Sequence, residues 1–187
     1  MIDLKTRCFT EPVFQGNVTL LDQAVRDEAA RKAAMLARCG YDKKLFASSE
    51  KFADVLRQWG IEPEQKPGKN EMIYAFAKTD PAMQSLLEHE EEEIRFLAET
   101  RLAMKSTIIQ TREQRVLDCA RRGPMPVYIK ANGTHTQRAS AGDGMNWMNL
   151  TSVNKLRPEM TVIKRSIEAP EGCLVVSADS SQIQARL

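Results

Sequence analysis

The stretch that decides the fold lies near the end of the chain and reads Cys173-Leu174-Val175-Val176-Ser177-Ala178-Asp179-Ser180-Ser181-Gln182. Its first six residues are apolar or small, which predicts a strand buried on both faces. Such a strand would deliver Asp179 at its carboxyl end, where a rigid backbone can hold a carboxylate against Mg²⁺. From spacing alone, the simpler interpretation of Asp179 is an N-cap for the next helix.

The composition is that of a soluble globular protein. Of the 187 residues, 42 % are apolar and 28 % are charged, unlike a disordered chain. No apolar run approaches the roughly 20 residues of a membrane-spanning helix, and the N-terminus lacks a secretory signal, so we expect a cytoplasmic protein with no membrane partner. The cysteines at positions 8, 39, 119 and 173 are scattered, which predicts reduced thiols rather than a zinc site.

Charge is unevenly distributed along the chain. Residues 80–100 hold seven acids and one base, a balance of −6, whereas residues 101–138 hold eight bases and two acids, a balance of +6. The basic stretch could provide a surface for phosphates. Two solvated helix faces explain the same pattern, and charge alone does not decide between these interpretations.

Helical signals dominate the first part of the chain. Residues 19–39 are rich in Ala, Leu, Arg and Lys, and Gly40 follows them, which predicts a helix with a glycine stop. Ser48 or Ser49 is expected to cap a second helix that ends at Gly60. The apolar residues of that helix recur at helical spacing: Phe52, Val55, Leu56 and Trp59.

A polar loop and a third helical region follow. Residues 62–70 contain two prolines and no periodicity, which predicts an irregular loop. Thr79 or Asp80 is the expected N-cap of the next helix, with Pro81 at its first position. Because no Gly or Pro then occurs before Gly123, we expect one long helix or two in tandem.

The texture of the sequence changes at Gly123. Short β-type runs at residues 127–130 and 173–178 are separated there by loops rich in Gly and Asn. The sequence therefore predicts an α+β chain, with a helical unit over residues 1–122 and a mixed unit over residues 123–187.

The residues around Asp179 also resemble a known motif. The string Ala178-Asp179-Ser180-Ser181-Gln182-Ile183-Gln184-Ala185-Arg186 is similar to motif A of family A DNA polymerases, in the form typical of the phage branch. Other strings resemble further motifs in the family's order: Phe76-Ala77-Lys78-Thr79-Asp80, Lys105-Ser106-Thr107, His135-Thr136-Gln137-Arg138-Ala139-Ser140, Asn146-Trp147-Met148-Asn149-Leu150, and Arg165 with Ala169-Pro170-Glu171-Gly172. Each string is weak evidence alone, whereas the ordered series is specific.

The resemblance implies a fold and an activity. Residues 1–122 would form a helical thumb with its lead-in, and residues 123–187 the first part of an α/β palm. The activity would be template-directed DNA synthesis in replication, in the host cytoplasm if the gene is a phage's. Asp179 and the backbone carbonyl of Ser180 would bind two Mg²⁺ ions that serve phosphoryl transfer. The incoming dNTP would lie beside two glutamines: Gln182 and Gln184.

The resemblance also implies contacts with primer–template DNA. Arg138 would reach the minor groove at the primer terminus, where every base pair offers acceptors. Asn146 and Asn149 would contact the duplex, and Lys105 and Thr107 would meet backbone phosphates from the thumb. The alternatives stay open that Arg138 is an unpartnered surface arginine and Lys105 a solvated helix lysine.

Three positions depart from the family's pattern. Gln184 replaces the Glu that in relatives packs against the sugar's 2′ position, so discrimination against ribonucleotides would rest on shape without the charge. Gln137 replaces a Gly that lets the backbone turn before the arginine. Met148 replaces a Gln that would contact DNA.

The family's fingers helix and second palm aspartate would lie beyond Leu187. We therefore expect the chain to be inactive alone, either as a truncated frame or as one half of a split enzyme completed by a second polypeptide. The alternative function is a non-catalytic module that binds primer–template DNA. A thumb-derived interaction protein is a third hypothesis, but it leaves motif A without a role.

Overall fold

The computed structural model describes residues 2–136, 138–142, 145–147, 150 and 161–176. The chain is a mixed α+β protein with two compact units, one formed by residues 1–25 and 112–187 and the other by residues 26–111. These units are called the split unit and the continuous unit below. They do not coincide with the expected thumb (1–122) and palm (123–187), and that functional division stays a prediction.

The helices and strands are short apart from α2. The described helices are α1 (Ile2–Thr10), α2 (Val18–Cys39), α3 (Lys43–Ala47), α4 (Ser49–Gln58), α5 (Pro81–Leu87), α6 (Glu92–Lys105), α7 (Ile108–Ala120) and α8 (Val162–Arg165). The described strands are β1 (Gln15–Gly16), β2 (Gln65–Pro67), β3 (Met72–Tyr74), β4 (Ile129–Lys130), β5 (Ser140–Ala141) and β6 (Ile167–Glu168). They pair as antiparallel two-stranded sheets, β1 with β6, β2 with β3, and β4 with β5.

The ends of α2 and α4 follow the sequence signals, and both helices confirm the prediction. Gly40 adopts a φ of 69° after α2 and its N–H donates to the Leu36 carbonyl at 3.0 Å. Ser48 caps α4 by accepting a bond from the Lys51 N–H at 3.3 Å. Gly60, with a φ of 76°, follows α4. Glycine tolerates these left-handed conformations, which end a helix without steric strain.

The third helical region begins as expected and is more divided than expected. Pro81 occupies the first position of α5, and Asp80 is its N-cap residue, although the Asp80 carboxylate bonds elsewhere. Three helices, α5, α6 and α7, replace the expected one or two. The break between α5 and α6 is stabilised by Arg95, whose guanidinium donates to the carbonyls of His89 and Glu90. Because side-chain hydrogen bonds stabilise this break, the helix propensities of the residues do not predict it.

The prediction of an irregular loop at residues 62–70 was wrong in part. β2 and β3 form a hairpin there, with Gln65 opposite Tyr74 and Pro67 opposite Met72. Its turn is closed by the Gly68 N–H, which donates to the Glu71 carbonyl at 2.9 Å. Proline is tolerated because it lies at the end of an edge strand, where no ladder bond is required of it.

Each unit has its own apolar core. In the continuous unit α3, α4, α5 and α6 surround residues that include Phe46, Phe52, Leu56, Met83, Ile94 and Leu97. In the split unit the N-terminal part of α2 and the C-terminal part of α7 pack with later segments, and the buried residues include Leu21, Val116, Leu117, Met125, Met145 and Ile163.

The expected buried strand at residues 173–178 is not formed by the part that the structure describes. Residues 173–176 belong to no strand, and Leu174 and Val176 are 90 % and 86 % exposed. A strand needs ladder partners for its backbone and cover for its side chains, and the described residues supply neither to this segment. Residues 177–178 lie outside the described range.

Candidate nucleic-acid contacts

The predicted catalytic and nucleotide-binding residues fall outside the part of the chain that the structure describes. They are Asp179, Ser180, Gln182 and Gln184. The predicted DNA contact Asn149 also lies outside the described ranges. The same holds for the departures at Gln137 and Met148. The predicted DNA contacts Lys105, Thr107, Arg138 and Asn146 are described, and all four are exposed.

Lys105 and Thr107 belong to the connection between α6 and α7 in the continuous unit. Lys105 is the last residue of α6, and the helix is closed by the Ser106 N–H, which donates to the Leu102 carbonyl at 2.9 Å. The Thr107 carbonyl accepts a bond from the Thr111 N–H at 2.9 Å, at the start of α7. The connection is therefore bonded into both helices, and the exposed side chains of Lys105 and Thr107 project from fixed backbone.

An acidic group lies within electrostatic reach of Lys105. The pKa of the Glu50 carboxyl is lowered from its ordinary value, first by a bond from its own backbone N–H, next by the Ser48 hydroxyl, and further by the charges of Arg101 and Lys105. A phosphate placed beside Lys105 would compete with this carboxylate, since both anions are attracted to one ammonium.

Lys32 supports the same connection and was missed by the sequence analysis. It lies on α2, is 9 % exposed, and donates from Nζ to the Ser106 carbonyl at 2.9 Å and to Gln110 Oε1 at 3.3 Å. Glu28 Oε1 lies 3.5 Å from the same ammonium. No local pattern reveals this supporting role, because the Ser106 and Gln110 atoms that Lys32 bonds are more than 70 residues away in the chain.

Arg101 is a base of the +6 stretch that does not reach the surface. It is 2 % exposed, and its guanidinium donates to the carbonyls of Phe46 and Ser48 and to the Ser49 hydroxyl. The ring centroids of Phe52 and Phe76 lie 5.2 and 5.7 Å from its Cζ atom, a cation–π arrangement. Burial lowers the pKa of Arg101 from its ordinary value.

Other bases of the stretch have partners within the protein. Arg121 forms an ion pair with Asp22 at 2.8 Å, and Arg122 donates to the Asp118 carbonyl at 3.2 Å. The charge count of the sequence therefore overstates the positive surface that is available to an anion. Predicting this from sequence would require knowing which bases are buried or paired.

Arg138 lies on the loop between β4 and β5 in the split unit. The Thr134 hydroxyl accepts a bond from the Arg138 N–H at 3.0 Å and donates to the Arg138 carbonyl at 3.3 Å. Gly133 packs so closely on Ser140 that a Cβ there would lie 1.8 Å from its Oγ. The loop backbone is thus fixed at both sides of the arginine, whose side chain has no hydrogen-bond or ion-pair partner among the described residues.

Asn146 lies between two residues that pack against the core of the split unit. Met145 is buried in the core of the split unit, and its N–H donates to the Gly142 carbonyl at 3.3 Å. Trp147 is half-buried and packs against the same core. Asn146, between these two anchored residues, is exposed.

The structure describes the segment that leads to Asp179 as far as Val176. Asn17 links the start of this segment to the N-terminal part of the chain. The Asn17 backbone N–H donates to the Ser166 carbonyl at 2.7 Å, and its Nδ2 donates to Glu168 Oε1 at 2.7 Å. A turn follows, closed by the Cys173 N–H on the Pro170 carbonyl at 3.0 Å, with Gly172 at a φ of 76°. The Ala-Pro-Glu-Gly string therefore forms a glycine-dependent turn.

Within the described residues, no three side chains of His, Cys, Asp or Glu lie close enough together to hold a metal ion. None of the described helices has the length and apolar character required to cross a membrane. Neither the models of known protein families nor the curated protein sequences give a match to this chain.

Proposed function

We propose that the chain is the thumb and the first part of the palm of a phage-branch family A DNA polymerase, which extends a primer on a DNA template. The observation that carries this proposal is the ordered series of motif-like strings, from Lys105-Ser106-Thr107 to the string around Asp179. The α+β architecture is compatible with a helical thumb followed by an α/β palm.

The described DNA-contact residues support the proposal by their exposure and their fixed backbones. Lys105 and Thr107 project from a connection that is hydrogen-bonded into α6 and α7. Arg138 projects from a loop that the Thr134 hydroxyl closes. A side chain on fixed backbone loses less conformational freedom on binding, which favours contact with DNA.

The catalytic part of the proposal concerns residues at the end of the chain. Asp179 and the Ser180 carbonyl would hold Mg²⁺, whose charge would stabilise the phosphoryl group during transfer. Gln182 and Gln184 would orient the sugar and triphosphate of the dNTP. The resemblance implies that a second palm carboxylate and a fingers helix take part as well, and the test supplies them.

The experiment is primer extension on a duplex with a 5′ overhang, with Mg²⁺ and dNTPs. The chain is assayed alone and together with a second polypeptide that supplies the fingers and the rest of a phage-type palm. We expect extension only in the mixture. Asp179→Asn should reduce the rate on the order of 100-fold or more, since groups that stabilise transition-state charge contribute that much. Undiminished extension by Asp179→Asn would overturn the catalytic assignment.

A second candidate is a non-catalytic module that binds primer–template DNA. It is favoured by the exposure of Lys105, Thr107, Arg138 and Asn146, which a DNA-binding module requires and which does not depend on Asp179. Such a module should bind the duplex with a steep salt dependence and should be indifferent to Asp179→Asn. It should also lose affinity when Arg138 or Lys105 is replaced by Ala. Binding without extension in any mixture would favour this candidate over the polymerase.

A further inference from the structure

The connection between α6 and α7 is held by a buried cation. Lys32 is the only lysine in the described ranges that is buried, and its ammonium bonds the Ser106 carbonyl and the Gln110 side chain. Ser106 is the C-cap residue of α6, and Gln110 belongs to the first turn of α7. One ammonium on α2 therefore holds both sides of the connection within the continuous unit.

The chemistry of these bonds makes the connection rigid. The last carbonyls of a helix have no partner inside the helix and carry partial negative charge, which a lysine ammonium satisfies well. A buried ammonium is strongly disfavoured unless it is hydrogen-bonded, so Lys32 and Ser106 depend on each other. Moving the connection away from α2 would remove both of these hydrogen bonds and leave the ammonium with the Glu28 carboxylate, 3.5 Å away on the same helix.

Lys105 and Thr107 flank Ser106 directly. Their exposed side chains are aimed by the backbone that Lys32 fixes, while Lys32 itself, 9 % exposed and hydrogen-bonded inside the protein, is unsuited to contact a phosphate. We propose that Lys32 is a positioning residue for nucleic-acid binding: it fixes the α6–α7 connection so that Lys105 and Thr107 can meet the phosphate backbone of duplex DNA. This inference rests on the proposed function.

The test measures the dissociation constant (Kd) of the full chain for a labelled primer–template duplex at several salt concentrations. Lys105→Met should weaken binding roughly 5-fold and lower the salt slope by about one unit, as expected for one lost phosphate contact. Lys32→Met should produce a loss of similar size although it removes no surface charge, and Lys32→Arg should restore most of it. Lys44→Met, which removes an exposed lysine of α3, is the charge-matched control and should stay within about 1.5-fold of the wild type.

The double variant separates positioning from general destabilisation. If Lys32 acts through Lys105 and Thr107, the Lys32→Met/Lys105→Met chain should lose less affinity than the two single losses combined, since the Lys105 contact can be lost only once. Additive losses would overturn the proposal. Wild-type affinity in Lys32→Met, with Lys105→Met weakened, would also overturn it and would leave the proposed function intact. A wild-type chain that does not bind the duplex would overturn both.

Hydrogen exchange keeps the inference testable if Lys32→Met folds poorly. Gln110→Leu removes one partner of Lys32 and keeps the Ser106 bond, so it should weaken DNA binding by about 2-fold. The amides of Ser106 and Thr111 are bonded to Leu102 and Thr107, and they should exchange several-fold faster in the variant. Unchanged exchange at both amides would show that Lys32 and Gln110 do not fix the connection, and would overturn the proposal.

Discussion

The continuous unit and the split unit close their cores to different degrees. In the continuous unit Phe46, Phe52 and Met83 are completely buried. Its exposed large apolar residues are Trp59, Met72, Ile73 and Ile108. The described part of the split unit leaves more large apolar residues exposed, on its N-terminal segment, at Tyr128 and at residues 174–176. They are Leu4, Phe9, Val13, Phe14, Val18, Tyr128, Leu174, Val175 and Val176.

The difference follows from how each unit is assembled. The continuous unit is one stretch of chain, in which α3 packs against both α4 and α6. The split unit joins segments from the two ends, as in the pairing of Gln15 with Glu168 and the bond from Asn17 to Glu168, 151 residues away. Long-range closure orders more chain before any contact forms, so we expect the core of the split unit to be the less completely closed of the two.

The largest effect on stability is expected in the apolar core of the continuous unit. Phe52 is completely buried between Phe46 and Phe76, and its ring lies beneath the Arg101 guanidinium. Phe52→Ala should lower the free energy of unfolding by about 3–5 kcal/mol, through lost transfer energy and a residual cavity. Urea unfolding followed by far-UV circular dichroism measures this change.

The matched control is the same substitution in the split unit. Phe9 is 44 % exposed and makes an edge contact with Tyr128, with ring centroids 5.7 Å apart. Phe9→Ala should lower the free energy of unfolding by only about 1 kcal/mol. Equal losses in the two variants would contradict the difference in burial between Phe52 and Phe9.

The next effect concerns close packing in the split unit. A Cβ on Gly16 would lie 2.5 Å from the Ala120 Cβ and 3.0 Å from the Met125 sulfur, so something must shift. Gly16→Ala should lower the free energy of unfolding by about 1–3 kcal/mol, the usual range for overpacking. Thermal and urea unfolding report it.

Removing the clashing atom provides the control. Ala120→Gly in the Gly16→Ala background should recover part of the loss, although a glycine at the end of α7 costs about 1 kcal/mol itself. The two substitutions should therefore be non-additive. Strict additivity would mean that the β1 backbone does not approach α7 as closely as the structure shows.

The elements that local sequence could predict are those with local causes. Ser48, Gly40 and Gly60 mark helix ends by side-chain capping or a left-handed φ, and the structure confirms these boundaries. The β1–β6 pair could not be predicted, because strands of two residues have no periodicity. The hairpin at residues 65–74 was missed for the same reason.

The candidate site likewise has features that the sequence could predict and features that it could not. The exposure of Lys105 and Arg138 agrees with what a DNA contact requires, while their roles stay predictions. The burial of Arg101 and the support from Lys32 could not be foreseen, since charge counting treats every base as exposed. Asp179 lies outside the described ranges and stays a prediction from resemblance.

A moderate effect is expected at the tie between the two ends of the split unit. Asn17 Oδ1 accepts the Leu20 N–H at 2.8 Å, which caps α2, while Nδ2 donates to Glu168. Asn17→Ala should lower the free energy of unfolding by about 1–2 kcal/mol, mainly through loss of the cap. Asn17→Ser keeps the cap and loses the tie, so the difference between the two variants in urea unfolding isolates the cap. A Ser variant as unstable as the Ala variant would show that the long-range tie dominates instead.

The smallest effect is expected in the pH dependence of stability, at an ion pair of the continuous unit. Lys66 Nζ lies 2.6 and 2.8 Å from the two Asp80 oxygens and joins the β2–β3 hairpin to the start of α5. The pKa of Asp80 is lowered, first by the bond from Lys66 and then by the Ala77 N–H, which donates at 2.7 Å.

Because the folded state holds the Asp80 proton less tightly than the unfolded state, the carboxylate's contribution to stability is complete above the unfolded pKa of about 3.9. That contribution is lost as the pH falls through the lower, folded pKa.

Asp80→Asn keeps an acceptor but gains no proton, so it should lose less stability than the wild type between about pH 4 and pH 2. Urea midpoints across that range measure the difference, and Lys66→Met should flatten the acid slope as well, since it removes the largest cause of the lowered pKa. Parallel curves for the wild type and both variants would mean that this ion pair does not fasten the hairpin to α5.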